Sequence, residues 1–174
     1  MNKPRLILLS DIFGNSKGSW MDEYRSILTP HFQLIEYDSR VLAEITTLDQ
    51  KQIHSEFVNG GIERAVQNLL RLESDGASVL GFSVGGTIAW KYALEIEHNI
   101  SLHLVSATRL RNETEKPSSN IHLYFGELES NGPTQAWFEN FHLIPTILEK
   151  EDHECYKATN SVKHLSSQLI SYLV

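Results

Sequence analysis

Short runs dense in Leu, Ile and Val alternate with helix-length segments along the whole chain of 174 residues. The runs span residues 5–10, 32–37, 78–82, 101–106, 121–125 and 142–148. Most lack a regular apolar–polar alternation, so they read as strands covered on both faces. Between them, residues 20–28, 50–73, 84–97, 133–141 and 154–172 read as helices. The longest carries Ile62, Val66, Leu69 and Leu70 at helical spacing, with Gly60-Gly61 as a break point. Such alternation predicts a three-layer α/β/α sandwich of about six mostly parallel strands with right-handed crossovers. No repeat or linker divides the sequence, so residues 1–174 read as a single domain. Ligands on open parallel sheets bind beyond the carboxyl ends of the strands, so chemistry is sought in the loops that follow them.

The charge balance, 15 Lys and Arg against 22 Asp and Glu, gives −7 without any basic cluster. Phosphate backbones need clustered cations, so a nucleic-acid partner is not expected. A single cysteine, Cys155, allows no intrachain disulfide and fits a reducing compartment. The apolar run Leu6–Leu9 is too short for a signal-peptide core or a membrane span. A cytoplasmic protein with no membrane partner is the expectation.

The segment Gly81-Phe82-Ser83-Val84-Gly85-Gly86 joins the third expected strand to a helix. Gly-x-Ser-x-Gly in that setting forces a sharp turn and lifts the serine hydroxyl above the sheet. Glycines flank the serine because side chains there would collide within the turn. The following helix aims its free N–H groups and positive dipole end at the same spot. A phosphate loop would require Lys after Gly86, and a dinucleotide loop a different glycine spacing; neither is present. Ser83 is therefore the candidate nucleophile.

A serine hydroxyl needs a base, and the base needs an orienting acid, in the chain order Ser, acid, His. Of the eight histidines, seven lie in or beside expected strands and helices. Only His153 falls in a loop directly after a strand. For the acid, Glu129 follows the fifth strand and has room to curl back toward His153. Glu127 is the second choice, and Glu113 and Glu115 a third. The Val84 N–H and the Ile12 N–H, from the loop after the first strand, are the candidate oxyanion donors. Phe13, Asn15, Val84 and Trp137 are candidate substrate-facing residues.

These residues resemble the α/β-hydrolase superfamily. The resemblance runs through the Ser10–Gly14 loop with Trp20 behind it, Gly81–Gly86, Gly126–Glu129 and His153. The Asp11-Ile12-Phe13-Gly14 loop is similar to that of dienelactone hydrolases, which often use cysteine where this chain has Ser83. Ser10-Asp11 stands where many members have His-Gly, and Glu129 where they have Asp. Residues 107–120 leave no room for the helical cap of larger members, which implies an open, shallow site. The resemblance implies hydrolysis of a small ester or thioester through an acyl-enzyme, without metal or organic cofactor. An amidase or carbon–carbon hydrolase using the same residues, or a catalytically weak binding protein, are the other expectations.

Overall fold

The computed structural model describes residues 3–16 and 18–174. Six strands, β1 (Arg5–Leu9), β2 (Gln33–Tyr37), β3 (Ser78–Phe82), β4 (Ser101–Val105), β5 (Asn120–Gly126) and β6 (Thr146–Leu148), form one sheet. Their order is β2-β1-β3-β4-β5-β6, and every neighbouring pair is parallel. The helices are α1 (Met21–Leu28), α2 (Ser39–Leu42), α3 (Gln50–Glu56), α4 (Ile62–Leu72), α5 (Val84–Glu95), α6 (Gln135–Phe141) and α7 (Thr159–Leu173). Among the described residues, none is long and apolar enough to cross a membrane.

The two-sided burial of the strands explains their composition. Side chains alternate across a strand, so Ile7 and Leu9 of β1 join one core and Leu6 and Leu8 the other. The first core packs α3, α4 and α5 against the sheet through Ile53, Val66, Leu69, Ile88 and Trp90. The second packs α1 and α7 through Met21, Tyr24, Leu28, Val162, Leu165 and Leu169. A strand that feeds both layers has little room for polar residues, hence runs dense in apolar side chains.

Two of the expected elements differ, and a third breaks where Gly60-Gly61 offered a break point. The run 142–148 contributes strand only at Thr146–Leu148. His142 adopts φ 53, ψ 47 and ends α6, while the Leu143 N–H folds back onto the Phe138 carbonyl at 2.9 Å. That left-handed cap and the following Pro145 postpone the strand. The segment 154–172 opens as a 3-10 turn, Cys155–Lys157, and becomes α7 only after the extended residue Ala158. The segment 50–73 is interrupted by a π-type turn, Phe57–Gly61, kinked at Asn59 and at Gly60 with φ 103. The short α2, capped by Asp38, had no periodicity to reveal it.

On the second face, β4 and β5 carry an unusual polar stack. The His103 ring lies parallel to that of His122, centroids 4.5 Å apart, and its Nδ1 meets the Tyr124 hydroxyl at 3.1 Å. Tyr172 of α7 covers both imidazoles. Burial, with the His122 charge behind it, lowers the His103 pKa to about 3, and burial lowers that of His122 as well. His103 is therefore neutral in the folded protein but takes a proton in the unfolded chain near its ordinary value. Because the unfolded state binds more protons, stability falls as pH drops below about 6.5. The loss continues toward pH 3, at about 1.4 kcal/mol per pH unit for this one group. Urea denaturation of wild type and His103→Gln at pH 7 and pH 5 is expected to show the wild-type slope flattened in the variant. Equal slopes would remove His103 as its source.

Candidate active site

The elbow after β3 is strained. Ser83 has φ 53 and ψ −115, a conformation disfavoured for a residue with a Cβ. It is held by its own N–H on the Val105 carbonyl at 2.8 Å and by the first turn of α5. A Cβ on Gly85 would lie 2.5 Å from the Leu9 and Ser10 carbonyl oxygens, and one on Gly81 2.8 Å from Gly86 backbone. Those contacts explain why the turn needs glycine at both positions.

The Ser83 Oγ lies 3.1 Å from His153 Nε2. On the far side of the ring, His153 Nδ1 lies 2.5 Å from Glu129 Oε2. The Glu129 side chain is only 4% exposed, against 40% for His153. Its other oxygen, Oε1, accepts the Asn131 N–H at 2.9 Å, so both carboxylate oxygens are engaged. Glu127 is occupied elsewhere, accepting the Lys150 N–H at 2.8 Å on the exposed side of the loop. Glu113 pairs with Lys91, and the Glu115 carbonyl accepts from Trp90. The two loops that bring Glu129 and His153 together touch at Gly126, where a Cβ would meet the Asp152 carbonyl oxygen at 2.3 Å.

The loop after β1 is organised by Asp11, which is 1% exposed. Its carboxylate accepts the Phe13 N–H at 2.9 Å and the Tyr156 hydroxyl at 3.1 Å. Burial raises the Asp11 pKa, against the Phe13 N–H, the Lys157 charge and the Tyr156 hydroxyl, which lower it. Tyr156 comes from the 3-10 turn just past His153, so one hydroxyl links the β1 loop to the His153 loop. Among the described residues, neither the Ile12 N–H nor the Val84 N–H has a protein acceptor. Val84 is also the first residue of α5, where the helix dipole favours negative charge.

Ser83, His153, Ile12 and Val84 line one cavity of about 220 Å³. Its wall is completed by His54 of α3, by Phe57 and Val58 of the π-type turn, by Thr87 of α5, by Thr108 and Arg109 of a 3-10 turn after β4, and by Asn131. A wider groove of about 520 Å³ beside β2 contains neither Ser83 nor His153. Among the described residues no group of three His, Cys, Asp or Glu side chains could hold a metal ion.

No protein-family model and no curated protein sequence matches the chain. Solved structures do. A candidate hydrolase of the alpha/beta superfamily from Xanthomonas campestris pv. campestris superposes with TM-score 0.66 at 14% identity, covering 98% of this chain and 100% of that one. Mouse alpha/beta hydrolase domain-containing protein 10 gives TM-score 0.67 at 14% identity, over 98% of this chain and 91% of that one. A dienelactone hydrolase-like promiscuous phosphotriesterase from metagenomic libraries gives 0.65 at 13%, over 99% and 87%.

The chain has the α/β-hydrolase fold.

Against that fold, three of the residues proposed from sequence to face substrate do not reach the cavity. Asn15 lies in the groove beside β2, its N–H on Asp38 at 3.2 Å and its carbonyl under Arg25. Phe13 is 44% exposed, its ring 5.8 Å from the Lys157 ammonium, outside the cavity wall. Trp137 is a packing residue, with Nε1 on the Glu113 carbonyl at 3.0 Å and its ring on Trp90 and Phe141. Each lies near a strand end, but its placement is set by the partners that its side chain or backbone finds. Residues that line or organise the cavity without having been singled out from sequence are Asp11, Tyr156, Asn131, Arg109 and the Phe57–Val58 wall. For the wall, the Gly60-Gly61 break was the available signal, since π-type interruptions of helices are frequent at functional sites.

Proposed function

We propose that the protein is a serine hydrolase that cleaves a small carboxylic ester or thioester through an acyl-enzyme. The supporting observation is the unbroken relay from Ser83 Oγ through His153 to Glu129, at 3.1 and 2.5 Å. Structures named as hydrolases share its fold.

In this reading His153 Nε2 takes the Ser83 proton as Oγ attacks the carbonyl carbon. The carbonyl π electrons move to oxygen, and the Ile12 and Val84 N–H groups stabilise that oxyanion. Its collapse expels the alcohol or thiol, which receives the proton from His153. Water, deprotonated by His153, then attacks the acyl-enzyme, releasing the carboxylic acid and returning the proton to Ser83. Glu129 keeps Nδ1 protonated and stabilises the imidazolium formed in each half.

A fluorophosphonate probe tests the reading directly, since it labels only a serine made nucleophilic by its surroundings. Covalent mass addition confined to the peptide containing Ser83 is the expected result. An unlabelled Ser83 in folded protein would reject the enzyme in favour of a binding role.

A further inference from the structure

The wall of the catalytic cavity carries one guanidinium with nothing to hold. The chain has seven arginines. Arg5, Arg25, Arg40, Arg64, Arg71 and Arg111 each donate to a protein oxygen. Among the described residues, Arg109 makes neither a hydrogen bond nor an ion pair, yet it is half-buried and lines the cavity with Ser83 and His153.

Its neighbour makes this placement specific. Arg111, two residues on, donates to the Thr108 carbonyl at 2.9 Å and to the Asn131 carbonyl at 3.0 Å. It thereby fastens the turn that bears Arg109 to the loop that bears Glu129. Arg109 is thus presented from an anchored turn. The cavity wall contains no Asp or Glu to neutralise it, in a protein whose net charge is −7. A second polar group waits in the same wall. Thr87 is 1% exposed, and among the described residues its buried hydroxyl has no partner. Buried polar atoms are rarely left unpaired unless something else satisfies them.

We propose that Arg109 makes this site selective for a small ester or thioester that also carries a carboxylate, held by the guanidinium while Ser83 attacks. The proposal rests on the hydrolase reading above and names its substrate class. Arginine's planar fork matches a carboxylate in a bidentate way. Beside the histidines His54 and His153 the wall offers no Lys and no second Arg, so Arg109 is its one permanent positive charge, which suits a carboxylate better than a phosphate dianion. The small cavity limits the groups between the carboxylate and the scissile carbonyl to a few atoms.

Two matched ester pairs test this. Mono-p-nitrophenyl succinate against p-nitrophenyl butyrate places the charge on the acyl side, and 4-acetoxybenzoate against phenyl acetate places it on the leaving group. The readout is the anionic-to-neutral ratio of kcat/KM, each normalised to hydroxide-catalysed hydrolysis. Arg109→Gln is expected to lower that ratio about 30-fold for one pair, the weight of one charge-assisted hydrogen bond, and Arg109→Lys to give an intermediate value. The pair that responds identifies the side of the ester that carries the charge. An Arg109→Gln ratio equal to wild type in both pairs overturns the proposal. If wild type hydrolyses no ester and takes up no fluorophosphonate, the hydrolase reading fails instead. Calorimetry with monomethyl glutarate then decides: binding to Ser83→Ala that is weakened at least about tenfold in Ser83→Ala/Arg109→Gln supports the arginine's role. Equal binding, or none to either, ends it.

Discussion

Ser83→Ala is expected to lower p-nitrophenyl acetate hydrolysis by about 10⁴-fold or more, with the fold retained. The change removes only the oxygen that lies 3.1 Å from His153 Nε2. It leaves the Ser83 N–H on Val105 and the glycines that admit the turn. A second substitution separates reactivity from strain. Ser83→Gly is equally inactive, but glycine accepts φ 53 without the Cβ penalty, which is about 1 kcal/mol. For a chain of this length that raises Tm by about 2–4 °C. Calorimetric Tm values of the two variants give the comparison. A Ser83→Ala protein that turns over at the wild-type rate would take the serine out of the mechanism. A Ser83→Gly protein no more stable than Ser83→Ala would show that the elbow stores no usable strain.

The second large effect belongs to the acid. Glu129→Gln is expected to reduce kcat by about 10³- to 10⁴-fold, while Glu127→Gln stays within about twofold of wild type. The argument is a count of acceptors. Glu129 uses one oxygen for His153 Nδ1–H and the other for the Asn131 N–H. Glutamine has one oxygen and one NH₂, so one of those two donors must face another donor. If the amide turns its oxygen to Asn131, the NH₂ faces Nδ1 and stabilises the tautomer whose Nε2 carries the hydrogen. That tautomer cannot take the Ser83 proton. If the oxygen turns to His153 instead, the charge that stabilises the imidazolium is still gone. Glu127 touches neither ring nor hydroxyl, since its carboxylate caps the Lys150 N–H on the surface. Single-turnover acylation rates of the two variants measure the difference. Equal losses in both would mean that the 2.5 Å contact at Glu129 does not set the histidine's protonation.

The core of the site was legible because its local chemistry is short-range. Gly81, Ser83 and Gly85 lie within five residues, and their backbone requirements are written in the sequence between them. His153 could be singled out by its place after a strand, although that strand is shorter than its apolar run suggests. The acid was legible to within one turn. Both Glu127 and Glu129 follow β5, and which one curls inward depends on the Glu129 N–H bonding the Gly126 carbonyl at 3.1 Å. Phe13, Asn15 and Trp137 lie outside the cavity for the opposite reason. Position near a strand end is a property of the chain, but the course of a ring or a loop backbone depends on partners ten or more residues away. For Trp137 those partners are Glu113 and Trp90; Asn15 is held through its backbone, by Arg25 on its carbonyl and Asp38 on its N–H.

The sequence by itself determined the layered parallel sheet, the elbow and the order in which Ser83, Glu129 and His153 occur. Apolar periodicity and glycine placement act over a few residues and survive without knowledge of the rest. Only the tertiary structure decided that Glu129, the carboxylate preferred from sequence, meets His153, that Tyr156 and Asp11 fasten two distant loops together, and that Arg109 lines the cavity beside Ser83 with no partner among the described residues. Those outcomes are contacts between side chains far apart in the chain. Their free energy exists only once the sheet has brought the loops to one edge, so no local pattern records them.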